Sequence, residues 1–329
     1  MEINKRTLRV YSMLGMRGTF GTVLLELARE NEKIFALTAD LGNTSGLDRF
    51  ADELPERYLN VGIAEQNMIG VAAGLADAGY YPFATTFANF ACLRANEFMR
   101  HFMAYMKCRM CVVGLGAGYA MEYFGNTHYA VEDIAAIRAF PNLTIISPAD
   151  GLELAKALEQ IVREQKPTYL RLTGQMNLPM IYKEDFEYQI GKANWLRKAD
   201  DPQVAIIVNG SVVHNALKAA EELELHGYRA DVIDMHTIQP IDGELLDQIR
   251  DYHLIVTVEE HSCIGGLGSS VDEYYRSNHR LVRRLAIGTG KSYINAGSYD
   301  YMLQQMGLTA EQIADSILEE LNVGKHEEN

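Results

Sequence analysis

Short apolar runs alternate with amphipathic stretches along most of the chain. The runs at Ile34 to Thr38, Tyr58 to Val61, Pro82 to Thr86, Met110 to Leu115, Leu143 to Ser147 and Thr168 to Leu172 are rich in β-branched residues. Such runs, bounded by turn residues, predict buried parallel strands. Between them Gln66 to Ala78, Asn89 to Tyr105 and Gly151 to Gln165 carry helical spacing. A polar, weakly periodic stretch follows from Gly174 to about Asp201. A second strand–helix series then begins, with strands expected at Val204 to Val208, Asp231 to Met235, Leu254 to Val258 and Leu281 to Ile287. Its last helix, Thr309 to Leu321, opens on Thr309 as N-cap. The pattern predicts two doubly wound α/β domains, residues 1–185 and 201–329, joined by a linker at 186–200.

The 329 residues are enough for two cores, and 48% of them are hydrophobic. A net charge of −14 opposes nucleic acid or an anionic membrane as the main partner, because phosphate backbones and headgroups repel it. A small phosphorylated substrate needs only local cations and stays open. No apolar run reaches membrane-spanning length, and Met1 to Arg9 lack the apolar core of a signal peptide, so a cytoplasmic protein is expected. Cys108 and Cys111 have CxxC spacing. They flank a strand with no second pair nearby, which favours packing over redox or zinc chemistry. GTGKS (Gly288–Ser292) imitates the end of a phosphate-binding loop, but Leu285 stands where its first glycine belongs. GGLG (Gly265–Gly268) reads equally well as a tight turn into a helix.

The most informative segment is YLNVGIAEQNM (Tyr58–Met68): a strand, a glycine, then a carboxylate opening a helix. Taken alone, Glu65 is most simply a first-turn acid serving the helix dipole. Phe87 and Phe90, three residues apart, are able to present two rings to one side, although core packing is the usual use of such a pair. Asp40 ends a strand, where ligands gather in open α/β sheets, and it also suits a turn cap. The lone His128 suits structure or proton transfer.

The segment resembles the one carrying the catalytic glutamate in transketolases and 1-deoxyxylulose-5-phosphate synthase. Further segments agree in the family's order: TADL (Thr38–Leu41), FATTFANF (Phe83–Phe90), GNTHYAVED (Gly125–Asp133), PNLTIISPAD (Pro141–Asp150), YLR (Tyr169–Arg171), TVEE (Thr257–Glu260) and Gly265–Gly268. The resemblance implies a thiamine-diphosphate pyrimidine-binding domain followed by a transketolase C-terminal domain. It implies Glu65 as the acid that activates the aminopyrimidine, Phe87 and Phe90 against that ring, and Asp40 near the thiazolium. It implies His128 at substrate hydroxyls, and Arg17, Thr44 and Arg171 on an acceptor phosphate.

The family's GDG motif, with an asparagine some thirty residues on, holds the diphosphate metal. No GDG occurs here. The resemblance therefore implies no metal ligands in this chain. Mg2+ or Ca2+ would be held by an N-terminal subunit, with the two chains forming an α2β2 heterotetramer. The aspartate of the family's DGPTH becomes Phe124 here, and a family histidine twelve residues before His128 is Gly116. Leu93 replaces a frequent aromatic, while Glu122 and Tyr123 offer other polar contacts. The expected function is transfer of a two-carbon ketol or acyl unit between sugar-type substrates. The alternatives are a decarboxylating 2-oxoacid dehydrogenase beta subunit, an enzyme like 1-deoxyxylulose-5-phosphate synthase, or a catalytically silent regulatory subunit.

Overall fold

The structure is a computed structural model describing residues 3–290 and 292–327; Lys291 of the rejected phosphate-loop imitation lies outside the described residues. Its twelve strands are β1 (Ile34–Thr38), β2 (Tyr58–Asn60), β3 (Tyr81–Phe87), β4 (Cys111–Leu115), β5 (Thr144–Ile146), β6 (Thr168–Arg171), β7 (Asn194–Arg197), β8 (Val204–Val208), β9 (Ala230–Asp234), β10 (Thr237–Gln239), β11 (Leu254–Ser262) and β12 (Arg284–Thr289).

Seven strands form one sheet in the order β10-β5-β6-β4-β3-β1-β2, parallel except for β10. Five form the second, β12-β11-β8-β9-β7, parallel except for β7. The central strands are buried along their whole length, as strands covered by helices on both faces must be. The doubly wound α/β expectation holds for both sheets.

Three elements depart from the sequence expectations. Residues 194–197 of the expected linker form β7 and close an edge of the second sheet. β10 follows β9 but crosses to pair antiparallel with β5, so the second half of the chain completes the first sheet. The segment expected as one helix from Asn89 is instead a short α-turn (Asn96–Phe98) between two π-helical stretches, Phe90–Arg94 and Met99–Tyr105. Thr309 caps the last helix as expected, its Oγ1 accepting from the Gln312 amide at 3.3 Å.

The N-terminal helix Lys5–Glu30 breaks at Gly15, which sits at φ 61°. A Cβ there would lie 2.6 Å from the Gln175 carbonyl oxygen, so both the dihedral and the close approach call for glycine. The break reaims the helix so that its second part, beginning with Met16 and Arg17, faces the loop after β1.

A buried acidic knot fastens the connection between the sheets. Asp150 accepts from the amides of Leu152, Glu153, Ile181 and Tyr182 at 2.7–2.9 Å. The Tyr182 hydroxyl donates to Asp234 at 2.8 Å and lies 3.3 Å from Glu153. Burial pushes the Glu153 and Asp234 carboxyls up, and their mutual proximity adds to the shift of Glu153. Raised folded-state values mean that the folded chain binds more protons than the unfolded one. The stability these groups contribute is therefore present in mild acid and lost as pH rises through their raised range. Asp234→Asn keeps an acceptor for Tyr182 and removes the ionisation. Urea denaturation between about pH 5 and pH 9 is expected to show a flatter decline for the variant, by up to about 1.4 kcal/mol per pH unit. An unchanged slope would place the decline elsewhere.

Candidate active site

β2, β1, β3 and β4 are parallel neighbours, so their C-terminal ends and the loops after them lie along the same edge of the first sheet. Asp40, just beyond β1, adopts φ 60°, a conformation that Asp tolerates better than most residues. Asn60, the last residue of β2, holds it there. Its Nδ2 donates to Asp40 Oδ1 at 3.0 Å, and its Oδ1 accepts from the amides of Asp40 (3.1 Å) and Gly62 (2.9 Å). The asparagine thus ties the strand-end carboxylate to the turn that launches the glutamate helix. Sequence reasoning missed this residue, although it lies inside the quoted segment.

Glu65 is the first residue of helix Glu65–Asp77 and is 2% exposed. Its two carboxylate oxygens each accept from Arg94 Nη1 at 2.9 Å. The Arg94 guanidinium carbon lies 4.1 Å from the centre of the Phe90 ring, within cation–π range. Arg94 is a second residue that sequence reasoning missed. Its i, i+7 spacing from Phe87 was the available signal, but a π-helical turn intervenes and alters where each side chain lands.

Phe87, Phe90 and His128 form one aromatic cluster. Phe87 and Phe90 meet edge-on at 5.9 Å, and the His128 ring lies 5.6 and 5.4 Å from them. Phe124 tilts against His128 at 5.1 Å and is 64% exposed. His128 Nδ1 is 2.9 Å from the Thr127 hydroxyl, and the Asn89 side chain fixes that loop by donating to the Thr127 carbonyl at 2.6 Å. Burial, aided by the Arg94 cation, holds the imidazole below its usual range, so it is neutral near pH 7.

Arg17 and Thr44 lie on two neighbouring segments. The loop after β1 packs on the N-terminal helix, where a Cβ on Gly46 would lie 2.9 Å from the Arg17 carbonyl oxygen. Burial lowers the Arg17 guanidinium from its usual value, and the nearby Glu122 carboxylate opposes that shift.

Arg171 does not join them. It is wholly buried in β6, its Nε donating to Asp133 at 2.8 Å and its Nη2 to the carbonyls of Ala130 (3.1 Å) and Glu260 (3.0 Å). The expected phosphate contact is corrected: this guanidinium faces inward, between the first sheet and β11, and a solvent-borne phosphate has no path to it.

The residues suit an aminopyrimidine: a buried carboxylate for a ring nitrogen, aromatic faces for the ring, and a strand-end acid beside them. Among the described residues, no group of three or more His, Cys, Asp and Glu side chains is arranged to hold a metal. Cys92, Cys108, Cys111 and Cys263 are all free thiols, and burial pushes each of them up, away from redox or zinc chemistry. No described helix is long and apolar enough to cross a membrane.

Comparison with known proteins agrees with this geometry. Residues 12–178 match the pyrimidine-binding domain of transketolase, and residues 191–313 match the transketolase C-terminal domain. The chain belongs to the transketolase family, whose members use thiamine diphosphate with a divalent metal. Within that family these residues correspond to the C-terminal section. It is 39% identical to a transketolase C-terminal section of Methanocaldococcus jannaschii, over 93% of this chain and 96% of that protein. It is 38% identical to a 6-deoxy-6-sulfo-D-fructose transketolase subunit of a Clostridium strain, over 91% and 92%. A solved structure described as a split-gene transketolase, inactive beta4 tetramer, superposes with a TM-score of 0.85 at 36% identity, over 93% of this chain and 98% of that one.

Proposed function

We propose that this chain is the C-terminal subunit of a split transketolase, transferring a two-carbon ketol unit between sugar-type substrates. The observation that carries the reading is a buried Glu65 joined through Arg94 to the Phe90 ring, which packs with Phe87 and His128. Thiamine diphosphate, when bound, supplies a thiazolium carbon made nucleophilic by its own aminopyrimidine. Glu65 holds a proton in a hydrogen bond at N1′ of that ring. Phe87 and Phe90 fix the plane of the ring and exclude water. Asp40 would face the thiazolium part of the cofactor. Neutral His128 donates to or accepts from a substrate hydroxyl. Arg17 and Thr44 take the far end of the acceptor.

An N-terminal chain with GDG and a downstream asparagine would hold the diphosphate through Mg2+ or Ca2+. Two copies of each chain would form the heterotetramer, with helix faces near Gly70 to Leu75 and Phe90 to Phe98 as candidate contacts. Phe124 and Gly116 supply no polar side chain where the resemblance expects donor-hydroxyl partners. The reading therefore assigns a ketose donor other than a standard pentulose phosphate.

The chain alone is expected to bind thiamine diphosphate at least about a hundredfold more weakly than the co-expressed pair, because the two phosphates lack their cation. Calorimetry with and without Mg2+ and mass measurement of the pair test both points. Tight metal-dependent binding by the single chain, or no association with any GDG-bearing chain, refutes the shared site. Release of carbon dioxide from 2-oxoacids without ketol transfer would favour the decarboxylating alternative instead.

A further inference from the structure

Arg94 has no role in the reading above, yet it sits at its centre. One planar guanidinium spans two partners: its Nη1 reaches both Glu65 oxygens at 2.9 Å, and its carbon lies 4.1 Å over Phe90. The face of Phe90 that it covers is therefore the face turned toward Glu65. These are the partners that the proposed function assigns to the aminopyrimidine. A guanidinium and an aminopyrimidine that has taken the Glu65 proton at N1′ share the relevant chemistry: a flat, delocalised nitrogen π-system that donates N–H to a carboxylate and stacks on an aromatic ring.

The arginine is also built to leave. Its side chain is 45% exposed while its carboxylate partner is 2% exposed, so one end of the pair is fixed and the other opens to solvent. It ends the π-helical stretch Phe90–Arg94, and Leu93 beside it is exposed. Among the described residues the Arg94 side chain has no further hydrogen-bond partner that would hold it over the ring.

We propose that Arg94 is a stand-in for the cofactor's aminopyrimidine: it satisfies the buried Glu65 carboxylate and covers Phe90, and it must swing out before the pyrimidine can enter. Cofactor loading is then an exchange of one planar donor for another. The guanidinium lowers the cost of a buried carboxylate in the unloaded site. It also reduces apparent cofactor affinity by the strength of the contact that loading breaks. This inference rests on the pyrimidine-site reading of Glu65 and Phe90.

The test is calorimetric titration of thiamine diphosphate, with Mg2+, into the co-expressed complex freed of cofactor by dialysis, comparing wild type with Arg94→Gln. Exchange predicts binding about tenfold or more tighter in the variant, since a charge-assisted contact no longer has to be broken. It also predicts a larger rise of the melting midpoint on cofactor addition in the variant, because only its unloaded form is weakened. Equal or weaker binding in the variant overturns the proposal, as expected if Arg94 stays on Glu65 beside the bound ring. Should Arg94→Gln fail to assemble, Arg94→Lys keeps the charge and loses the flat fork. Exchange predicts an affinity gain for it too, and unchanged affinity counts against the idea. A wild-type complex that binds no thiamine diphosphate would sink the parent reading as well, whereas an unaltered affinity in a complex that binds would sink only this one.

Discussion

Glu65→Gln in the reconstituted enzyme is expected to lower turnover by about 10²–10⁴-fold, the scale of a lost proton-transfer group. The glutamine keeps the volume of the side chain and retains an oxygen for Arg94, so the fold is expected to survive. What it loses is the ability to exchange a proton with a ring nitrogen. Helix Glu65–Asp77 begins at this residue, and its N-cap Ala64 makes no side-chain cap. If Glu65 served only the dipole of that helix, glutamine would cost a few tenths to about 1 kcal/mol of stability and leave chemistry intact. Turnover and denaturation measured on the same preparation separate the two roles. Near-normal turnover would remove Glu65 from the catalytic assignment and revive the silent-subunit alternative.

The candidate carboxylate Glu65 was legible because its surroundings are local. A strand, a positive-φ glycine and a helix start within eight residues place it, and the same short segment carries Asn60, which orients Asp40. The strands β1 and β8 fall where their apolar runs predict, since each is buried on both faces and its neighbours demand little of its sequence. The strands that escaped notice are β7 and β10, both edge strands held by antiparallel partners remote in sequence. Their four and three residues lie in polar or turn-rich stretches, where periodicity has no room to show. The N-terminal helix was hidden for a different reason. Its apolar and polar residues are not sorted to opposite faces, because Gly15 breaks the helix and its two parts pack on different neighbours.

Side-chain direction was the least legible quantity. Arg94 and Arg171 show this from opposite sides. Arg94 lies on a stretch whose irregular turn carries it back toward Glu65, and nothing in the spacing of Phe87, Phe90 and Arg94 tells a π-turn from an α-turn. Arg171 sits at a strand end, where functional residues gather, so a guanidinium there invites assignment to a phosphate. Its inward course depends on Asp133 and on the Glu260 carbonyl, 38 and 89 residues away.

That inward course predicts a large loss of stability for Arg171→Met. The guanidinium is fully buried and paired with an equally buried Asp133, which also accepts from the Tyr169 hydroxyl at 2.7 Å. Removing one partner of such a pair strands the other charge in the core, at about 3–5 kcal/mol. The loss reaches the site as well. Nη2 donates to the Ala130 carbonyl, two residues past His128, and to the Glu260 carbonyl of β11 in the second domain. Glu260 in turn accepts from the Tyr119 amide and from the hydroxyls of Ser211 (2.9 Å) and Tyr299 (2.7 Å), so the loop bearing His128 is anchored to the second sheet through this junction. The double variant Asp133→Asn with Arg171→Met removes the stranded charge and is expected to recover part of the stability, which urea denaturation of the single and double variants measures. A residue acting as a phosphate ligand behaves differently. Its loss raises KM for a phosphorylated acceptor and leaves denaturation unchanged. If Arg171→Met shows that pattern, with full stability and an elevated acceptor KM, the buried-junction assignment is wrong and the phosphate role returns.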